Sequence, residues 1–300
     1  MIGCKLSAQA YKPAVKKRSK LKIFLYVLIF FLLLIIIKGL FLGAYHITTS
    51  SMRNALIEGD FVLVKKASYQ IKTPEKFPFT SLKIPSFTIL KRQKPERNDV
   101  VVFKMNEYLV DSSLADLDFV KRVIGLPGET IQLKDRSVYI DGEEINNPST
   151  VTFNLNSPFF YNRAEQKFYP FNDKTWKINF YGPVKVPQRG DTIHINPKNI
   201  SVWQPLINYE SGGKFINVEG TVITFKGRPI TEYIIQRDYY FVLGDNRFES
   251  VDSRFFGFVP EDEIIGKVWM IYWSVNPKIE TGFWDLFNAL RFDRITKSIY

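Results

Sequence analysis

Residues 60–66 read DFVLVKK, and the same period-two grammar returns as NDVVVFKM at 98–105, FVKRVIGL at 119–126 and SVYIDGEEI at 137–145. DTIHINP at 191–197, TVITFKG at 221–227, YYFVLGD at 239–245 and VWMIYWSV at 268–275 continue it. Alternating β-branched and aromatic residues favour strands, and breaks such as Glu58-Gly59-Asp60, Asp141-Gly142 and Lys226-Gly227 supply the turns between them. The expected fold is mainly β, antiparallel and with little helix. Pro95-Glu96-Arg97-Asn98-Asp99 before VVVF resembles Pro187-Gln188-Arg189-Gly190-Asp191 before TIHI, which two turn-plus-strand units explain without a repeat architecture. The irregular, aromatic-rich stretch TFNLNSPFFYNRAEQKFYPFNDKTW suggests that residues 131–235 form a second β-rich lobe inserted between the two parts of a first domain, 46–130 and 236–277.

Ahead of these strands lies a different kind of sequence. Ile23 to Ile37 is unbroken apolar chain, and after Lys38 the run continues to Tyr45. As a helix, residues 23–45 would span roughly 34 Å, about one bilayer core with some tilt. Lys38 lies near the far end, where its side chain can snorkel. A cleavable leader wants small residues at the last and third-from-last positions, and Phe41 or Leu42 stands where the second of these should be. The expectation is an uncleaved transmembrane anchor.

Charge gives the orientation. The net +11 over 300 residues is concentrated in residues 1–22, which contribute +7 and contain no acid. That cluster places the amino end in the cytoplasm and the body on the outer face of the cytoplasmic membrane, as a single-pass protein. The remainder is too weakly basic for a nucleic-acid footprint. One cysteine, Cys4, and two histidines, His46 and His194, exclude a disulfide framework and argue against a metal site or metal cofactor. With no cysteine beyond the anchor, a nucleophile there would be Ser or Thr helped by His, Lys or an acid. His46 sits at the membrane boundary and His194 alternates within a strand, so a Ser/His/Asp triad is poorly supplied.

Four segments carry a more specific signal. ITTSSMRNALIEGD (47–60), RNDVVVF (97–103), FVKRVIGLPGE (119–129) and GDNRFESVDSR (244–254) followed by FFGFVP resemble, in order, the boxes of the bacterial type I signal peptidases. These are membrane-anchored serine endopeptidases that cut signal peptides from exported precursors after small residues. The resemblance implies that Ser51 is the nucleophile and Lys121 its general base. It also implies that the Ser51 N–H and Thr49 hydroxyl form the oxyanion hole and that Ser250 orients the Lys121 amine. Asp245 would pair with Arg122, while Asp252 and Arg254 hold the last box. Substrate pockets would be lined by Tyr45, Ile47, Met52, Leu56, Val62, Phe119 and Val120. Ser50 stands where the family has Gly and is a rival nucleophile. Exported precursors, membrane lipid and the export translocon are the partners so implied, with no cofactor.

Chemistry sets a condition on this assignment. A free lysine, with a pKa near 10.4, is neutral in only about four molecules in ten thousand at pH 7, so Lys121 must be depressed by burial. A self-cleaving Ser/Lys protease and a catalytically inactive β-rich binding protein remain as alternatives. The tail, 278–300, sets Phe283, Leu286, Phe287 and Leu290 at helical spacing with Arg291, Arg294 and Lys297 nearby. It reads as a basic amphipathic helix for the membrane interface or for docking on the body.

Overall fold

The computed structural model describes residues 18–73, 87–110, 114–115, 117–155, 168–169, 176–279 and 285–299. Two compact units divide the chain, one ending at Gly39 and the other running from Leu40 to Tyr300.

The first unit contains most of helix α1, Arg18–Phe41. Its described side chains are exposed and, apart from Lys22, apolar, among them Leu21, Phe24, Phe30 and Leu33. Among the described side chains no helix is long and apolar enough to cross a membrane, and those of residues 32 and 34–38 lie outside that description. The helix also stops short of the expected anchor end: Leu42–His46 is a strand, β1, paired antiparallel from Leu42↔Lys65 to His46↔Phe61. Leu42 to Tyr45 therefore belong to the sheet, where a strand partner satisfies their backbone.

The second unit is built on a seven-stranded antiparallel sheet. Its other strands are β2 (Asp60–Lys65), β3 (Val100–Lys104), β4 (Asp118–Gly125), β5 (Tyr239–Leu243), β6 (Val259–Pro260) and β7 (Ile264–Ser274). Their spatial order is β1-β2-β7-β3-β4-β5-β6. β5 is buried along its whole length and β3 along all but Lys104, as expected of apolar runs covered on both faces. One face packs Ile47, Met52, Leu56, Val62, Val64 and Val268 together, and Val101, Phe103, Val123, Tyr240 and Val242 form another cluster.

Strands between 130 and 234 pair only among themselves, in a four-stranded sheet around Thr130–Lys134 and smaller two- and three-stranded sheets. Their apolar residues nonetheless share one core with the main sheet, since Ile131, Leu133 and Tyr181 pack with Phe241, Leu243 and Phe258. This region also contains a twelve-residue helix, α2, Ile200–Ser211, which the strand pattern does not anticipate. α2 buries Val202, Leu206 and Ile207 and tolerates Pro205 in its second turn.

The two similar turns share one local geometry. Asn98 and Gly190 both have positive φ, and Asp99 and Asp191 accept from the amides of Glu96 and Gln188, each at 3.1 Å. The tail is less helical than its spacing suggests. Among its described residues Asp285–Ala289 is α-helical and Phe292–Arg294 a 3-10 turn, and Thr296 and Ile299 bond back to Ile271 and Trp269 of β7. Ala289 and Ile299 are buried, so the tail docks on the body.

Candidate active site

β4 places two consecutive basic residues in opposite environments. Successive strand residues face opposite sides of the sheet, so Lys121 points to the loop after β1 while Arg122 points to the segment following β5. Both are buried, at 4% and 1% exposure, because the sheet is covered on each side at this point.

Lys121 Nζ donates to Ser51 Oγ at 2.9 Å and to the Val120 carbonyl oxygen at 3.1 Å. Burial lowers the amine to about 8; Asp252 and Asp245 pull it upward and Arg254 opposes them. At that value about a tenth of the amines are neutral at pH 7, a gain of roughly two hundredfold over a free lysine. The condition set by the chemistry is met by desolvation.

Ser51 sits in a single 3-10 turn, Ser50–Met52. Asn246 holds that turn by two bonds, from its N–H to the Ser51 carbonyl oxygen at 3.0 Å and from its side-chain amide to the Ser50 carbonyl oxygen at 3.2 Å. Glu249 accepts from the same Asn246 amide and from Asn154. Ser51, not Ser50, is the hydroxyl bonded to the lysine. Thr49 is exposed, and its Oγ1 lies 3.4 Å from Ser51 Oγ. Ser250 is fully buried against Gly244, beside the Ser51 carbonyl.

Beneath the site lie two carboxylate–guanidinium pairs. Arg122 binds Asp245 through Nε at 2.8 Å and a terminal nitrogen at 2.7 Å, and Thr150 Oγ1 also donates to Asp245. Arg254 binds Asp252 in the same bidentate way at 2.8 and 2.7 Å, while Asp252 accepts from the Gly244 N–H. Burial raises the Asp252 carboxyl, but Arg254 and these hydrogen bonds outweigh it and hold the group below the usual range. Both pairs carry fully satisfied charges in a dry interior, which keeps them fixed.

A cleft of about 650 Å³ opens over Ser51 and Lys121. Ile47, Met52, Phe119 and Val120 line it, as the resemblance implies. Leu56 and Val62 do not: both are fully buried in the core beneath, because their positions face the sheet interior. Tyr45, partly buried, packs against the same core. The cleft is completed by residues not nominated for it from the sequence, among them His46, Leu117, Asp118, Glu249 and Val251. Flanking position alone could have nominated Leu117, Asp118, Glu249 and Val251, each a near neighbour of a box residue. His46 stacks on Phe61 with centroids 4.4 Å apart, and His194 pairs with Glu232 on the surface. Among the described residues no group of His, Cys, Asp and Glu could hold a metal ion.

Comparison with known proteins identifies the family. Residues 20–273 match the family described as Signal peptidase, peptidase S26. Signal peptidase I of Buchnera aphidicola from Schizaphis graminum is 31% identical over 83% of this chain and 73% of its own length. The enzyme of the Baizongia pistaciae strain is 28% identical over 98% and 89%. Signal peptidase I of Haemophilus influenzae is 25% identical over 88% of this chain and 71% of its own. A solved signal peptidase I from Enterococcus faecalis, 24% identical over 58% of this chain and 97% of its own, gives a TM-score of 0.26, an overlay too loose to bear on the fold. The chain belongs to the signal peptidase, peptidase S26, family and is a serine endopeptidase of the bacterial type I class.

Proposed function

We propose that this enzyme hydrolyses the junction between signal peptide and exported precursor with Ser51 as nucleophile and Lys121 as general base. The observation that carries the proposal is the 2.9 Å hydrogen bond between the buried Lys121 amine and Ser51 Oγ. Neutral Lys121 takes the hydroxyl proton as Oγ attacks the scissile carbonyl. The Ser51 N–H and the Thr49 hydroxyl receive the developing oxyanion, which is worth most in a water-poor site. Lys121, now an ammonium, gives its proton to the departing amine of the mature protein. A water deprotonated by Lys121 then releases the signal peptide from Ser51. Ser250 orients the amine, and the Arg122–Asp245 and Arg254–Asp252 pairs hold the framework.

The substrate is an exported precursor with small residues at the last and third-from-last positions before the cut, bound in the cleft along Ile47, Met52, Phe119 and Val120. α1 anchors the enzyme in the cytoplasmic membrane with its basic amino end inside. The continuous helical backbone across the run Ile23–Ile37 supports this, since 24 residues reach about 36 Å. Holding enzyme and signal helix in one bilayer raises their effective concentration and presents the scissile bond near the site. Lipid, and the translocon that delivers precursors, are the accompanying partners. A self-cleaving protease needs no such tether.

The test is cleavage of a radiolabelled precursor by detergent-solubilised enzyme. Ser51→Ala and Lys121→Ala should be inactive, Lys121→Arg should fail because a guanidinium stays protonated, and Ser50→Ala should cut normally. Near-normal cutting by Lys121→Arg would sink the Ser/Lys assignment.

A further inference from the structure

The loop that carries Ser51 is gripped from two sides. Asn246 holds its tip, as described. Its base is held by the tail of the chain, some 240 residues away in sequence. Arg294 binds the fully buried Asp60 through Nε at 3.0 Å and a terminal nitrogen at 2.6 Å, and that terminal nitrogen also donates to the Ala55 carbonyl oxygen at 3.2 Å. Asp60 in turn accepts from the Ile57 N–H at 2.9 Å and from Ser274 Oγ at 2.7 Å. Arg291 bonds the Glu58 and Val275 carbonyl oxygens, both at 2.6 Å. Gly59 makes room for it: φ there is +87°, and a Cβ would fall 1.9 Å from the Val275 oxygen and 2.8 Å from the Arg291 guanidinium. Ile299 packs with Ile47, Met52 and Leu56.

We infer that Asp60 and Arg294 are positioning residues for the cleavage reaction, acting through residues 52–57 to hold Ser51 Oγ in line with Lys121. The inference rests on Ser51 being the nucleophile. Ala55 and Ile57 lie only four and six residues beyond Ser51, and the Leu56 N–H to Met52 carbonyl bond at 2.7 Å makes the intervening chain one stiff turn. A carboxylate–guanidinium fork with a third bond to Ala55 defines both distance and angle, which an ammonium cannot reproduce. A shift of about 1 Å at Ser51 is enough to cost on the order of a hundredfold in turnover.

Arg294→Lys keeps the charge, and the double variant Asp60→Asn, Arg294→Gln leaves no buried ion unpaired, so both should fold. Peptide cleavage by full-length enzyme should show kcat lowered about tenfold to a hundredfold with KM within about threefold of wild type. Added guanidinium should restore part of the kcat lost by Arg294→Ala. Ser51→Ala is measured alongside. Unchanged kcat in both braced-pair variants, with Ser51→Ala inert, overturns the positioning role alone. Cutting by Ser51→Ala overturns the nucleophile assignment and the brace together. A loss of melting temperature without loss of kcat assigns the pair to stability and also overturns the inference.

Discussion

Gly244 and Ser250 approach so closely that a Cβ on Gly244 would lie 2.2 Å from Ser250 Oγ, and 2.6 Å from the Ser51 carbonyl oxygen. No side chain fits between the turn that carries the nucleophile and the segment that closes over it. Gly244→Ala must displace Ser250, Ser51 or both. Turnover should fall on the order of a hundredfold, since reacting groups tolerate little misplacement. Circular dichroism should stay native-like while single-turnover cleavage slows; wild-type turnover would show that the contact relaxes harmlessly.

The rate should follow the proton on Lys121. With the amine at about 8 through burial, kcat/KM should climb tenfold per pH unit below that point and level off above it. A synthetic peptide spanning a signal junction, assayed from pH 6 to 10, gives the profile. A plateau already reached at pH 6 would remove Lys121 as the titrating base.

Stability should carry the same signature with a definite sign. The folded amine titrates at about 8 and the unfolded one near 10.4, so between these values the unfolded chain binds more protons and stability rises with pH. Below 8 the full burial cost applies, up to about 3 kcal/mol. It is offset in part by the hydrogen bonds to Ser51 and Val120. Lys121→Met should therefore be more stable than wild type at pH 6, with the advantage fading from pH 8 to 10. Thermal unfolding at a series of pH values checks this, and a pH-independent difference would contradict it.

Breaking one partner of the Arg122–Asp245 pair leaves a buried charge alone. Asp245→Asn should cost about 3–5 kcal/mol in urea unfolding, and Arg122→Met added to it should recover much of that loss. Equal stability of the single and double variants would indicate that water reaches Arg122 once its partner is gone.

The unit from Leu40 onward has its own core and includes β1. Removing residues 2–39 should release the enzyme from membrane pellets at high pH while leaving peptide cleavage within about threefold of wild type. Cleavage of precursors presented in vesicles should fall much further, because the tether no longer concentrates the two. Retention of the shortened protein in carbonate-washed membranes would place the principal membrane contact elsewhere.

The main sheet was legible because its strands alternate or run fully apolar between clear turns, and the paired turns at 95–99 and 187–191 announced themselves by Asp at the same offset. Ser51, Lys121 and their supporting acids and arginines could be nominated only through motif order: Lys121-Arg122 by itself reads as a solvated strand face. α2 was hidden because ISVWQPLINYES combines β-branched residues with Pro205, both poor helix formers, and is rescued by packing. Leu56 and Val62 show the opposite failure, since apolar character near a nucleophile does not tell cleft wall from core. The course of the tail stayed open between membrane interface and body because Arg291 and Arg294 find Asp60 and the Glu58 and Ala55 carbonyl oxygens, all far away in sequence. Such long-range partners leave no local periodicity.

Burial of Ile299 beside Ile47, Met52 and Leu56 also bears on the order of folding. Arg294 and Asp60 are 234 residues apart in sequence, and pairings of such separation stabilise a chain only after a long loop has closed. The loop carrying Ser51 therefore gains its lower support later than the pairing of β1 with β2 or of β3 with β4, whose strands are near neighbours in the chain.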